Sequence, residues 1–559
     1  MAAPTTLVEA LSHLPRGTER GFRFIDASGR EHYFPYEALE AEAHRRAALL
    51  QSLGVQKGER VALVIPEGHE FVLTFLAAVV AGAVPVPIFP RATFKAKDEY
   101  VDSIVHIAEA SGASLLVAAD TNFALVEPAL LRVPSLRGAH SVDTVFAPEL
   151  TALSFAQPTL TGDDLCFLQF TSGSTSRPKG VMVTHANLIA NASAFLGPHG
   201  LDRNADDVGV SWLPLFHDMG LIGFILGPLI VDIPVVILPT ATFARGPRVW
   251  LETISKYRGT ITYAPNFAYA LAIKRLKPKD VESLDLSCLR VSGSGAEPIH
   301  AATLRAFAAA LAPAGFRAEA LLPSYGMAES TLAITFHPLG SVIEVDRVDP
   351  EALARGEAVP SALPDANELV SCGVPFPAHT LSIVDDSGAP LPERRVGEII
   401  VRGPSVSPGY FEAPDATAES FGPAGELKTG DLGYLADGKL YICGRKKDLV
   451  IIRGANFHPQ DIEWSVSELE GVRRGNVVAF SVPVTGEERL VLAVECASSD
   501  AATVCARVTA RVNESLGLTP HEVVAVTIGS LPKTSSGKIQ RAKARGLYLA
   551  GQLARHVSS

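Results

Sequence analysis

Four times between residues 165 and 330 a short apolar run that reads as a β-strand ends in a turn of small or polar residues. LCFLQF leads into TSGSTSRPKG, VGVSWLP into the LFHD segment, LRV into SGSGAEP, and LLPSYG into MAES. Helical patterning fills the intervals, and helix alternating with strand restricts a chain to layered α/β architecture with largely parallel sheets. Ligands of open α/β sheets gather beyond the carboxyl ends of the strands. The four turns therefore predict one composite site assembled from several loops.

The same alternation extends outward. YEALEAEAHRRAALLQSLG (36 to 54) reads as a helix ending at glycine and ERVALVIP (59 to 66) as a buried strand. A helix over 98 to 111, a strand at SLLVAA (114 to 119) and a strand at ITYAPN (261 to 266) follow. Two long apolar stretches need a membrane check. Pro85 and Pro87 divide 71 to 90 into a helix and a short strand, and Pro228, Asp232 and Pro234 interrupt 224 to 239, so both are expected in a core without stable membrane insertion. After about residue 370, LSIVDD, GEIIVRG, GKLYICG and DLVIIRG are short β-like pieces between Gly, Pro and Asp, as in a β-rich subdomain. RKKD at 445 to 448 is the expected hinge. Beyond it HPQDIEWSVSELEGV, NVVAFSV and LVLAVEC begin a small α/β unit with a helical tail near 541 to 554.

A chain of 559 residues exceeds one hydrophobic core, so at least two domains are expected. The net charge of -11 without a basic stripe argues against a nucleic-acid partner but leaves room for a local cationic pocket. Six scattered cysteines without CxxC spacing read as reduced thiols of a cytoplasmic protein.

TSGSTSRPKG (171 to 180) has the composition of a phosphate-holding turn. Glycines allow close backbone approach, hydroxyls and N–H groups donate, and Lys179 adds a mobile charge. It is not a Walker loop, because Lys179 is followed by Gly180 and Val181, and a flexible Ser/Gly surface loop is the alternative. His217 and Asp218 lie among bulky Trp212, Phe216 and Met219, where a capped helix start explains the pair as well as catalysis does. In PSYGMAES (323 to 330) Tyr325 offers a ring for adenine and Glu329 a carboxylate for Mg²⁺, with core packing as the other reading of the tyrosine. TGDLGYLADGKLYICGRKKD combines Asp431 with Arg445, a pair able to face ribose hydroxyls or to form a surface ion pair. Finally, LPKTSSGKIQR (531 to 541) carries Lys538, which could enter the nucleotide site, neutralise the α-phosphate and orient an attacking carboxylate.

With TSGSTSRPKG, SYGMAES, TGDLGYLADGKLYICGRKKD and SSGK in this order over nearly its whole length, the chain resembles the adenylate-forming superfamily of acyl-CoA synthetases, peptide-synthetase adenylation domains and luciferases. SWLPLFHDMGLIG, AGAVPVPIFP, VDRVDPEALARG and LVSCGVPFP make it most similar to the fatty-acyl-AMP ligases. The resemblance implies a large multi-subdomain N-terminal domain (1 to 444), a hinge (445 to 448, with Lys447 at the hinge position) and a small mobile α/β C-terminal domain (449 to 559). It implies that ATP and a fatty acid react to acyl-adenylate and pyrophosphate with Mg²⁺, and that the acyl group then goes to a separate acyl carrier protein. A fatty-acyl-CoA ligase and an inactive nucleotide-binding regulator are the alternatives. By residue, Thr171, Ser172, Gly173, Ser174, Thr175 and Lys179 would hold the phosphates, and Gly295, Ala296 and Glu297 would lie along adenine with Tyr325 and Gly326. Glu329 would bind Mg²⁺, Asp431 and Arg445 would face ribose, Lys538 would bridge reacting oxygens, and His217 would position the acyl-adenylate.

The resemblance also points to an insertion near 341 to 368, between Glu329 and Gly373, of the kind that restrains the C-terminal domain and disfavours transfer to CoA. A tolerated surface excursion is the other reading, since lengthening a loop twofold costs only ~0.6 kcal/mol. The IEV and EALARG patterns nevertheless predict partial order and docking.

Overall fold

The first long apolar stretch does divide into helix and strand, but the break falls at Gly82, which takes φ 76°, and Pro85 and Pro87 lie within the strand that follows. Helix Gly68–Val80, buried almost all round, is followed by strand Val84–Pro87 at the edge of a four-stranded parallel sheet. The computed structural model describes residues 3–90, 97–150, 154–171, 178–452, 455–484, 487–534 and 538–556. Among these, no helix is long and apolar enough to cross a membrane.

The small parallel sheet runs in the order Val84–Pro87, Arg60–Val64, Leu115–Ala118, Gly138–Ser141. Beside it lies a nine-stranded sheet whose centre is parallel, in the order Gly21–Ile25, Val235–Ile237, Gly209–Ser211, Ile261–Ala264, Val291–Ser294, Leu321–Gly326. Antiparallel strands close its two edges: Glu31–Pro35 at one, and Ala333–Phe336 with Val374–Pro375 at the other. Helices cover the faces, so the central strands bury both sides and read as nearly continuous apolar runs.

One expectation needs correction. The run at 171 to 180 does not end a parallel strand but joins two legs of a hairpin, Leu165–Thr171 and Lys179–Thr184, with Thr171 opposite Lys179. So short a connection can return the chain antiparallel but cannot make a parallel crossover. After Thr184 the chain turns helical: Thr184 and Asn187 form a reciprocal capping box at the start of His185–Leu196.

The β-rich region is a four-stranded antiparallel sheet, Thr380–Val384, Gly397–Arg402, Leu427–Ala436, Lys439–Arg445. A single 3₁₀ turn, Lys446–Asp448, leads to the C-terminal unit. There strands Val477–Val484, Glu487–Glu495 and Glu522–Val526 pack with helices Pro459–Ser467, Ala501–Leu516 and Arg541–Leu549. The tail helix stops at Leu549 rather than near 554, where Gly551 adopts φ 67° and turns the chain.

The segment near 341 to 368 is ordered and docked. Strand Val345–Val348 pairs antiparallel with Asn367–Val370, and Asp349 caps helix Pro350–Ala354 by accepting from the Ala352 N–H at 2.7 Å. Val348, Leu353, Ala358 and Leu369 bury against Tyr434, Ala436, Tyr441 and Cys443 of the antiparallel sheet. Polar contacts add direction: the Tyr434 hydroxyl donates to Asp346 at 2.7 Å, and Lys439 pairs with Glu344 at 2.6 Å.

Candidate functional site

The parallel centre of the large sheet places the ends of four strands side by side. From them come the Trp212–Asp218 loop, Asn266 and Phe267, the Gly295–Glu297 turn and the Tyr325–Glu329 segment. All open into one cavity of about 1770 Å³, which the hairpin borders through Thr171 and Lys179. Asp431, Arg445, Lys447 and Lys538 complete its wall. Ser172, Gly173, Ser174 and Thr175 lie outside the described residues. Every other residue expected at the site reaches this cavity.

Asp431 and Arg445 are register partners on adjacent strands. The Arg445 Nε donates to Asp431 Oδ1 at 3.0 Å and the Tyr325 hydroxyl to Oδ2 at 2.7 Å, so a tyrosine, a carboxylate and a guanidinium stand in line. Gly326 is required by packing: a Cβ there would lie 1.9 Å from the Leu332 carbonyl oxygen. Ala296 holds φ 68°, a left-handed conformation that costs a non-glycine residue about 1 to 3 kcal/mol. That turn aims the chain so that Glu297 Oε1 accepts from the Phe267 N–H at 2.6 Å.

The charges are set by burial and by one another. Burial pushes the Lys538 ammonium below the usual lysine range, against the pull of Asp218 and Glu297. Burial raises the Glu297 carboxyl, opposed by the Phe267 N–H and Lys538. Burial works on Asp218 as well, but His217, Lys538 and the Met219 N–H together outweigh it, so this carboxyl ends below its ordinary range. His217 Nδ1 is paired with Asp218, whose carboxylate also accepts the Met219 N–H at 2.7 Å. Lys447 is lowered by burial and then by Arg445.

Glu329 is buried, and its carboxyl is raised above the usual range because burial outweighs the hydrogen bond it receives from the Tyr410 hydroxyl at 2.8 Å. An under-compensated carboxylate on a cavity wall is suited to a hard cation, which takes one or two carboxylates and fills its other positions with phosphate oxygens and water. Among the described residues there is no group of three or more His, Cys, Asp or Glu side chains able to hold a metal by themselves.

Tyr410 escaped the sequence reading. Its ring carries the Lys179 ammonium 5.0 Å from the centroid, its backbone bridges Val181, and its hydroxyl holds Glu329. The only sequence signal is an aromatic residue after the PG turn in SPGYFE, far from any motif.

Apolar residues line part of the same cavity, among them Gly223, Phe224, Leu332, Phe336, Leu201 and Ile233. The Ile222–Leu226 segment that borders it is π-helical, a distortion frequent at functional sites. A second, mainly apolar pocket of about 280 Å³ lies beside Ala296 and Lys538 against Trp212 and Phe243.

The family model for AMP-binding enzymes matches residues 19–411. The chain is 38% identical to a putative acyl-CoA synthetase of Caulobacter vibrioides, over 98% of this chain and 96% of that protein. It is 33% identical to the medium-chain-fatty-acid–[acyl-carrier-protein] ligase JamA of Moorena producens, with the same coverage of each. A solved structure from studies of fatty acyl-adenylate ligases of E. coli and L. pneumophila superposes with a TM-score of 0.92 at 37% identity, covering 98% of both chains.

Proposed function

The chain belongs to the AMP-binding enzyme family and is an adenylate-forming enzyme, and from that premise we propose that it activates a medium- or long-chain fatty acid for transfer to a separate acyl carrier protein. The observation that carries this reading is that apolar and charged residues line one and the same cavity. An alkyl chain gains about 0.8 kcal/mol for each methylene removed from water, while its carboxylate stays among cations.

In the proposed reaction the carboxylate oxygen attacks the α-phosphorus of ATP, the bond to the bridging oxygen breaks, and pyrophosphate leaves with the electron pair. The carboxylate is already ionised near neutral pH and needs no base. Lys538, brought to the wall beside Asp218 and Glu297, stabilises charge on the reacting oxygens. Lys179 and the run beginning at Thr171 hold the departing phosphates. Asp431 and Arg445 bind the ribose, Tyr325 and the Gly295–Glu297 turn frame the base, and His217 positions the acyl group. Glu329 would hold Mg²⁺, which supplies charge neutralisation at the phosphates. A thiol of the carrier's phosphopantetheine then attacks the acyl carbonyl and AMP leaves.

We expect the docked 341 to 368 segment to favour a carrier over CoA, because it packs on the large-domain strands before the hinge and, through Asn367, donates to Asp461 of the small domain, a tie that would oppose reorientation for CoA. All six cysteines are free, as suits a reducing compartment, and we place the reaction in the cytoplasm. Mass spectrometry of products from ATP, Mg²⁺ and a fatty-acid panel, with CoA and holo-carrier in separate reactions, tests the whole reading. Acyl-AMP and acyl-carrier with little acyl-CoA is the expected result. Efficient acyl-CoA formation would make the enzyme an acyl-CoA ligase, and no carboxylate-dependent pyrophosphate would make it a nucleotide-binding regulator.

A further inference from the structure

Three residues beyond Lys538, Arg541 opens helix Arg541–Leu549 and turns its guanidinium toward the hinge. Its Nη1 donates to Asp448 Oδ2 at 2.8 Å, and its Nη2 donates to Glu463 Oε1 and Oε2 at 2.8 and 3.0 Å. All three side chains are largely buried, at 17%, 13% and 16% exposure. Glu463 Oε1 also accepts the Ala479 N–H at 2.9 Å, which anchors the cluster to strand Val477–Val484. One guanidinium thus joins the Lys538 segment, the last residue of the hinge turn and the central sheet of the small domain.

The Lys538 segment is itself braced. The Thr534 N–H donates to the Lys538 carbonyl at 2.7 Å, the Lys538 N–H donates to Thr534 Oγ1 at 3.1 Å, and the Gln540 N–H donates to the Pro532 carbonyl at 2.9 Å. On the other side of the hinge, Arg445 is held by Asp431 at 3.0 Å, and Lys446 by Asp386 at 2.8 Å and Glu398 at 3.2 Å. Lys447 stands between a clamp to the large domain and a clamp to the small one.

We propose that Arg541 is a positioning residue for adenylation, locking the Lys538 segment to Asp448 so that the small domain turns about Lys447 as one body and delivers Lys538 in register. The inference rests on the role given above to Lys538. A lysine at 541 keeps the charge but lacks the planar fork that reaches both carboxylates. Misplacing a reacting group by about 1 Å is enough to cost roughly 10²-fold in rate.

The test compares Arg541→Gln, Arg541→Lys, Asp448→Asn, the Asp448→Asn/Arg541→Gln double variant and Lys538→Ala in the full-length enzyme. Pyrophosphate release reads adenylation, and transfer from supplied acyl-adenylate to holo-carrier reads the second step. For Arg541→Gln the expected result is kcat for adenylation lowered about 10²-fold, KM for ATP and fatty acid unchanged, and transfer unchanged. Arg541→Lys should recover part of the rate, and the double variant should be no worse than Arg541→Gln alone. Removing one partner of a buried ion pair can unfold a protein, so Tm is followed throughout. If Arg541→Gln does not fold, Arg541→Lys and Asp448→Asn must show the same split between steps. Equal loss in both steps, additive losses in the double variant, or full adenylation by Arg541→Gln beside an inactive Lys538→Ala overturns the clamp. Full adenylation by Lys538→Ala overturns the reading beneath it.

Discussion

Asn367 Nδ2 donates to Asp461 Oδ2 at 3.3 Å, joining the segment between Glu329 and Gly373 to the first turn of the helix that opens the small domain. The acceptor is unusual in charge. Burial, and then the neighbouring Glu463, push the Asp461 carboxyl up to about 7.

A carboxyl whose folded pKa exceeds its unfolded value retains a proton that the unfolded chain has lost. Its contribution to stability is complete below the unfolded value of about 3.9 and is lost as pH rises through about 7. Asp461→Asn keeps an acceptor for Asn367 and removes the titration. Melting curves across that window should show a shallower decline with pH for the variant than for the wild type, whereas parallel declines would mean that Asp461 titrates normally.

Lys538→Ala should lower pyrophosphate release by about 10² to 10³-fold, the cost of losing one preorganised donor to a transition-state oxygen. Fatty-acid affinity by calorimetry should be unchanged. Because the ammonium is lost as pH rises through its lowered pKa, wild-type adenylation should decline on the alkaline side below the ordinary lysine value of 10.5. A rate that stays flat to that pH would place the needed charge elsewhere.

Glu329→Gln preserves an acceptor for the Tyr410 hydroxyl while removing the charge. The Mg²⁺ concentration for half-maximal adenylation should rise at least about tenfold, with Tm little changed. Titration with Mg²⁺ at fixed ATP measures it, and an unmoved midpoint would free Glu329 of the cation.

Gly223 borders the cavity with room beside it, since a Cβ there would meet nothing nearer than Leu332 Cδ2 at 3.6 Å. Gly223→Leu should fill that room and shift the preferred substrate toward shorter acids. Each methylene denied its place is worth about 0.8 kcal/mol, or roughly fourfold in kcat/KM. Competition among acids of graded length, read as acyl-adenylate products, is the measurement, and an unchanged profile would put the alkyl chain elsewhere in the cavity.

The α/β class and the strand-end loops were legible because each rests on local signals: apolar periodicity and small residues after strands. The hairpin at 171 to 180 was not. LCFLQF and the segment after Lys179 look alike whether they pair parallel or antiparallel, and pairing partners are a property of distant sequence. The Leu427–Ala436 strand was hidden for a related reason, since TGDLGY reads as a turn until Lys439–Arg445 supplies its partner. Asp431 and Arg445 could be named from their motif, yet their direct contact depends on that register. Tyr410 and Arg541 were invisible as site residues because they act on Glu329 and Asp448, whose positions only folding brings near.

Tyr410 touches the base of the hairpin, the ammonium of Lys179 and the carboxyl of Glu329 from a loop that no motif marks. Variants of the 404 to 421 stretch would therefore be scored as remote and harmless by any rule based on motif membership, yet should emerge from an activity screen among the inactive clones. A mutational map of this protein should show an island of intolerance there, separate in sequence from the motifs and joined to them by one aromatic ring.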